Sequence, residues 1–376
     1  MAEQLSGFEL RSLITSDGTL RVTLDPNAVG DSGDGEVIVR VEATPINPSD
    51  LGLLLGPADL STLKAEGTPE RPVLTAHVPH DRLAVVASRL DEAMPVGNEG
   101  AGTVVRAAPD QQHLIGRTVG MIGGGMYAQY RRIAARDCIV LPEGATAAEG
   151  ASLFVNPLTA LGFVETMRME GHKAIVHTAA ASNLGQMLVR ICQADGIPLV
   201  NIVRSGDQER MLRGLGAVHV VNSSEADFRE KLDEAIATTG ATIGFDAIGG
   251  GKLASEILAA MERVASRQLQ SYNRYGSNTF KQVYIYGALE LGPTILNRSF
   301  GFAWSVGGWL LFPFLQKAGV ETAQRLRERV AAEFRTTFAS HYTDVISLRD
   351  ALNPEVVRAY ERKGTGSKYL IDPTTL

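Results

Sequence analysis

The chain has 376 residues, enough for two domains, because a single core stops growing at roughly 250–300 residues. Hydrophobic residues make up 44% and charged residues 21%, an ordinary balance for a folded protein, and the net charge of −6 argues against a nucleic-acid partner. The start, MAEQLSGFEL, lacks the basic run and apolar stretch of a signal peptide, so the chain is expected to be cytoplasmic.

In chain order, EVIVRVEAT (36–44) and GAGTVVRAA (100–108) read as strands. Pro45, Pro48, Pro57 and Pro72 break the connecting stretches, so the first 150 residues are expected to be β-rich. Residues 62–94 show no clean period and are expected as a surface elaboration, with His77 and His80 in a surface loop. Cys138 and Cys192 have neither metal-ligand spacing nor a disulfide framework and are expected as reduced, buried thiols. Strands and helices alternate from about residue 155: strand 174–178, helix 184–195, strand 198–204, helix 208–216, strand 218–223 and helix 226–240. Strand 242–250, a helix from Lys252 to Ser266 and strand 282–290 continue the series, which predicts an α/β, doubly wound parallel sheet. The apolar run GFAWSVGGWLLFPFL (301–315) is shorter than the ~20 residues that span a bilayer and reads as a buried or interface helix. A charged helix (321–334) and the short strand KYLI (368–371) form a tail expected to rejoin the first domain.

The segment HTAAASNLGQ (177–186) opens the first βαβ unit, where a dinucleotide's pyrophosphate would meet a helix N-terminus. Ala181, Ser182, Asn183, Leu184 and Gly185 make a turn of small residues. Ser182 and Asn183 can cap the helix, Asn183 tolerates left-handed backbone, and Gly185 allows close helix–strand packing. The next strand ends at Arg204, nineteen residues after Gly185, where an enzyme using NAD tends to carry an acid for the ribose 2′-hydroxyl. Arginine suits a 2′-phosphate instead, with Ser205 beside it and Arg210 and Arg213 a turn or two further on. The expected cofactor is NADPH.

INPSD (46–50), VGNEGAG (96–102), VNPLTAL (155–161), HTAAASNLGQ, VNIVRS (200–205), FDAIGG (245–250) and GSKYLI (366–371) occur in an order that resembles the zinc-independent medium-chain dehydrogenase/reductases. That group includes NADPH:quinone oxidoreductases and mitochondrial-type 2-enoyl thioester reductases. The resemblance implies a mostly β, barrel-like (GroES-like) catalytic domain over 1–154 and 320–376, with a Rossmann domain inserted at 155–319 and the nicotinamide between them. Asn98 stands where the zinc-binding branch has histidine, INPSD lacks its cysteine, and no metal is expected.

The same resemblance implies hydride transfer from NADPH to a quinone or another α,β-unsaturated carbonyl, with a 2-enoyl thioester reductase or a non-catalytic NADPH-binding protein as alternatives. Asn47 and Asp50 would line the substrate side, with the Asn47 amide as donor. The expected cofactor contacts are Thr159, Ala181, Ser182, Asn183, Leu184, Gly185, Arg204, Ser205, Arg210 and Gly287. The tyrosine that enoyl thioester reductases carry shortly after NPSD is absent from LGLLLGPADLS (51–61). Another residue (Tyr127, Tyr272 or Tyr275), water, or a quinone that needs no dedicated acid would then fill that role. A homodimer is expected, with Trp304, Trp309, Phe312 and Phe314 as its surface.

Overall fold

The computed structural model describes residues 4–362 and 368–376. Gly366 and Ser367 of the closing GSKYLI lie outside the described residues. The chain forms two compact units, residues 1–155 with 329–376 and residues 156–328. The sequence reading puts these crossings at 154/155 and 319/320.

The first unit begins with β1 (Leu5–Ile14), β2 (Thr19–Val29), β3 (Glu36–Pro45), α1 (Pro48–Leu54), β4 (Asp59–Gly67), β5 (Pro72–His77) and β6 (Met94–Pro95). It continues with β7 (Glu99–Ala107), β8 (Thr118–Ile122), β9 (Tyr130–Ala134), β10 (Cys138–Val140) and α2 (Ala147–Gly150). Leu10, Ser12 and Ile14 of β1 are buried in alternation, as are Leu20, Val22 and Leu24 of β2, so each strand turns one face to the core. Residues 62–94 are not a loose elaboration. They complete β4, supply β5 and end in β6, within a sheet ordered β4-β5-β2-β1-β6. Their strand signal was masked because β4 is mostly polar and solvent-facing, so no apolar alternation marks it.

The second unit runs through α3 (Val155–Met169), β11 (Ile175–His177), α4 (Asn183–Ala194), β12 (Leu199–Val203), α5 (Gly206–Gly214) and β13 (His219–Asn222). Next come α6 (Phe228–Thr239), β14 (Ile243–Asp246), β15 (Gly249–Gly251), α7 (Leu253–Ser266), β16 (Lys281–Ile285), β17 (Glu290–Thr294) and β18 (Trp304–Gly308). Its main sheet is ordered β13-β12-β11-β14-β16-β18, and every neighbouring pair is parallel. That is the Rossmann strand order, which reverses direction between β11 and β14. Strands β11 and β12 are buried throughout, the mark of a sheet covered on both faces.

The run 301–315 is not one helix. It is edge strand β18 followed by the start of α8 (Leu311–Glu333), which itself breaks at Gly319 with φ +84°. Trp309 and Phe314 are not surface residues either. They are 9% and 6% exposed, Trp309 packs edge-on to Phe163, and its indole N–H donates to Thr166 Oγ1 at 3.0 Å. Trp304 is half-buried, and only Phe312 of the four, at 59%, is exposed. The stretch Ala147–Met169 is long and apolar enough to cross a membrane by composition, and 78% of its most apolar window is buried.

The tail supplies β19 (Asp344–Ser347), α9 (Pro354–Glu361) and β20 (Tyr369–Asp372) to the first unit. Its second sheet is ordered β10-β8-β7-β3-β20-β19, with β9 also pairing β3. β20 runs antiparallel to β3, pairing Ile371 with Thr44 and Leu370 with Pro45.

Candidate active site

The first unit gathers its polar side chains around α1. Asn47 caps this helix and Asp50 occupies its third position, so the Asn47 amide N–H donates to Asp50 Oδ2 at 2.8 Å. Asp50 Oδ1 accepts from the backbone N–H of Asn98 at 2.8 Å, so one carboxyl ties INPSD to GNEG. Asn47 Nδ2 donates to Glu99 Oε1 at 2.8 Å, and Glu99 Oε2 accepts the backbone N–H groups of Phe154 and Val155 at 2.9 Å each. Asn47, Asp50 and Glu99 are at most 2% exposed. Burial pushes the Asp50 carboxyl up to about 7 against the pull of its two amide donors, and the neighbouring Glu99 adds to the rise. Burial likewise raises Glu99, opposed first by the Lys368 cation.

Lys368 reaches this cluster through strand pairing. The Ile46 amide donates to the Tyr369 carbonyl at 3.0 Å, which places the residue before β20 beside INPSD. Lys368 Nζ donates to Ser152 Oγ at 2.7 Å, and Ser152 Oγ lies 2.9 Å from the Tyr342 hydroxyl. The residue is half-buried, but its ammonium end is enclosed by these groups. Burial lowers its basicity to about 8, against the opposing pull of Glu99 and Asp50. Tyr127, a candidate acid, is 1% exposed, and its hydroxyl donates to the Pro45 carbonyl at 3.3 Å, with Asp50 close enough to raise its pKa further. Tyr272 and Tyr275 belong to the second unit and are 91% and 53% exposed. Sequence reasoning missed Glu99, Ser152, Tyr342 and Lys368 as site residues. Glu99 and Lys368 stood inside quoted motifs, whereas Ser152 and Tyr342 carried no local signal.

In the second unit the elbow, Arg204 with Ser205, and Gly287 follow the carboxyl ends of β11, β12 and β16. After β11, the Thr178 hydroxyl donates to Asp246 Oδ1 at 2.7 Å and the Ala180 amide donates to the Ile202 carbonyl at 3.2 Å. The elbow is thus tied to the strands on both sides. The left-handed residue is Ala179, with φ +48°, whereas Asn183 is the first helical residue of α4. Ser182 caps α4, its Oγ accepting from the Gly185 amide at 3.1 Å, while Ala181 and Leu184 are buried. A Cβ on Gly185 would overlap the Ala180 carbonyl oxygen, so only glycine lets α4 approach the elbow this closely. Thr159 is 7% exposed within α3, and Gly287 follows β16 between backbone bonds from Tyr286 to Asp246 and from Leu289 to Ala247. His177 Nε2 lies 2.8 Å from the Tyr286 hydroxyl, and burial lowers His177 to about 3, so the imidazole is neutral.

Arg204 stands just beyond β12, exposed, with its amide donating to Gln208 Oε1 at 2.9 Å. Ser205 caps α5, its Oγ accepting from Gln208 at 3.3 Å. Arg210 pairs with Asp207 and Arg213 with Glu209, but Arg204 makes no ion pair among the described residues. A guanidinium without a carboxylate, beside the elbow and at the end of the second strand, is therefore available to an anion.

No family model matches the sequence. A mycocerosic acid synthase-like polyketide synthase of Mycobacterium tuberculosis is 28% identical over 213 residues, 54% of this chain and 10% of that protein. The mitochondrial enoyl-[acyl-carrier-protein] reductase of Schizosaccharomyces pombe is 26% identical over 244 residues, 61% of each protein. The matches thus span less than two thirds of these curated relatives. The crystal structure of a candidate NADPH:quinone reductase from Mesorhizobium loti superposes with a TM-score of 0.72, covering 99% of this chain and 100% of that one at 24% identity. The chain has the medium-chain dehydrogenase/reductase fold. In the terms of this fold, residues 156–328 are its Rossmann unit and the flanking segments its GroES-like unit.

Proposed function

We propose that the protein is an NADPH-dependent oxidoreductase that reduces a quinone or another α,β-unsaturated carbonyl. The observation that carries this reading is Arg204, a cation without an acidic partner among the described residues, where a 2′-phosphate would lie in a Rossmann unit. The residues fit the cofactor: Ala181–Gly185 and the twelve-residue α4 offer a small-residue turn and a helix dipole, with Ser205, Arg210, Thr159 and Gly287 completing the contacts. Bound NADPH would supply the hydride. On the substrate side, Glu99 fixes the Asn47 amide, which donates to the carbonyl oxygen as negative charge develops there. Lys368, Ser152 and Tyr342 form a hydrogen-bonded series that can return a proton. No zinc is needed in this scheme, because INPSD and GNEG offer amides and carboxyls already committed to one another.

A 2-enoyl thioester reductase is the second reading, favoured by the likeness to the Schizosaccharomyces pombe enzyme. The chain lacks a tyrosine in 51–61, and Leu54 and Leu55, expected from the sequence to give that wall an apolar face for a quinone or an alkyl enone, are core residues at 1% and 2% exposed. NADPH oxidation assayed with 1,4-benzoquinone and with a crotonyl thioester separates the two. A strong preference for the thioester overturns the quinone assignment. Tight NADPH binding without turnover across a carbonyl panel points to a non-catalytic binding protein. We place the protein in the cytoplasm as a homodimer, with Phe312, at 59%, the exposed member of the surface expected from the sequence. Light scattering that gives a monomer at micromolar concentration rejects the dimer.

A further inference from the structure

Arg89 is the last residue of the turn-like segment His80–Arg89, and only it and Leu83 of that segment are buried. It is 9% exposed, lies against the core that holds Ile14, Leu54 and Leu55, and meets no carboxylate among the described residues. Burial alone lowers its basicity. Its Nη2 has no hydrogen-bond partner among the described residues. Burying a guanidinium without a counter-charge is expensive, and a methionine of similar length would avoid that cost. Stability therefore does not explain the residue.

Its contacts do. Arg89 Nη1 donates to the Leu53 carbonyl at 2.9 Å, and the Ser12 hydroxyl donates to the Leu54 carbonyl at 3.0 Å. These are the last two carbonyls of α1, where a cation also complements the helix dipole. Gly56, with φ +57°, ends the helix and leaves room: a Cβ there would stand 2.8 Å from Arg89 Nη2. A helix of seven residues is too short to hold its own position, so its placement depends on what grips each end. One end presents Asn47 and Asp50 and the other is held by Arg89 and Ser12.

We propose that Arg89 is a positioning residue of the candidate active site, fixing α1 from its carboxyl end so that the Asn47 amide and the Asp50 carboxyl stand in register with Glu99 and Asn98. The role rests on the reductase reading for its kinetic consequence, but not for its structural one.

Arg89→Met tests it by two readouts. The kcat for NADPH-dependent quinone reduction is expected to fall by about tenfold or more, because small misplacement of a donor is costly, while NADPH affinity stays unchanged. The urea midpoint is expected to hold or rise, since a buried unpaired charge has been removed. The carbon-13 titration of the Asp50 carboxyl, set by Glu99, Tyr127 and Lys368 around it, is expected to move as α1 shifts. Arg89→Lys should recover part of the kcat loss, and Ser12→Ala, removing the other grip, should reproduce it in milder form. A wild-type kcat together with a wild-type Asp50 titration in Arg89→Met overturns the proposal. So does a kcat loss matched by a fall in stability that Arg89→Lys does not relieve. If Arg89→Met does not fold, Arg89→Lys and Ser12→Ala decide by the same two readouts. If the wild-type protein turns over neither quinone nor enone, the reductase reading fails, and the Asp50 titration still decides the role of Arg89.

Discussion

Replacing Arg204 by alanine is expected to weaken NADPH binding and leave NADH binding unchanged. A charge-assisted hydrogen bond contributes about 1.5–3 kcal/mol, and an exposed pair lies near the lower end because solvent and salt screen it. At roughly tenfold per 1.4 kcal/mol, the loss of one forked contact is about 10- to 100-fold in Kd for NADPH. Arg210 and Arg213 do not fully compensate, since Asp207 and Glu209 already hold them. The fold tolerates the change, because Arg204 is exposed and its backbone amide makes the bond to Gln208 Oε1. Titration calorimetry of both coenzymes with wild type and variant checks this, at low salt and near 0.15 M, where the Debye length of ~8 Å should already reduce the wild-type preference. The reasoning fails if wild type binds both coenzymes equally, or if the substitution weakens both alike. It also fails if Arg210→Ala costs NADPH more than Arg204→Ala does.

Gly185→Ala should abolish coenzyme retention and lower the melting temperature together, since the added Cβ meets the Ala180 carbonyl and must push α4 from the elbow; unchanged calorimetry would contradict the packing described. Asp50 is protonated more readily in the folded protein, near 7, than at its ordinary 3.8, so the folded state binds more protons between those values. Wild-type stability relative to Asp50→Asn should therefore fall as pH rises from about 4 to about 7, and urea unfolding at pH 5 and pH 8 reads the sign. Lys281→Met leaves Glu262, its partner at 2.6 Å, buried without its counter-charge although Ser266 and Ser277 still donate to it, a loss of about 3 kcal/mol by chemical denaturation. Trp309→Ala should cost a similar ~3–5 kcal/mol in stability without changing the mass seen by light scattering, because the ring is core and not interface.

The doubly wound unit was legible because its signals are local. Buried parallel strands such as LVNIV need continuous apolar runs, helices such as α4 repeat theirs every three or four residues, and the elbow and Arg204 sit at fixed offsets from those runs. Residues 62–94 escaped because edge strand β4, with its polar face, carries no alternation, and 301–315 misled because an edge strand and a helix start read as one apolar run.

The sequence by itself determined the strand–helix alternation from β11 to β16, the small-residue elbow and the arginine that follows the second strand, since each depends on neighbours a few residues away. Only the tertiary structure decided that Glu99 orients Asn47, that Lys368 arrives from the far end of the chain through β20, and that Arg89 grips the carboxyl end of α1. Those partners are separated by tens to hundreds of residues, so they are brought together by strand pairing and core packing, and no local pattern can encode them.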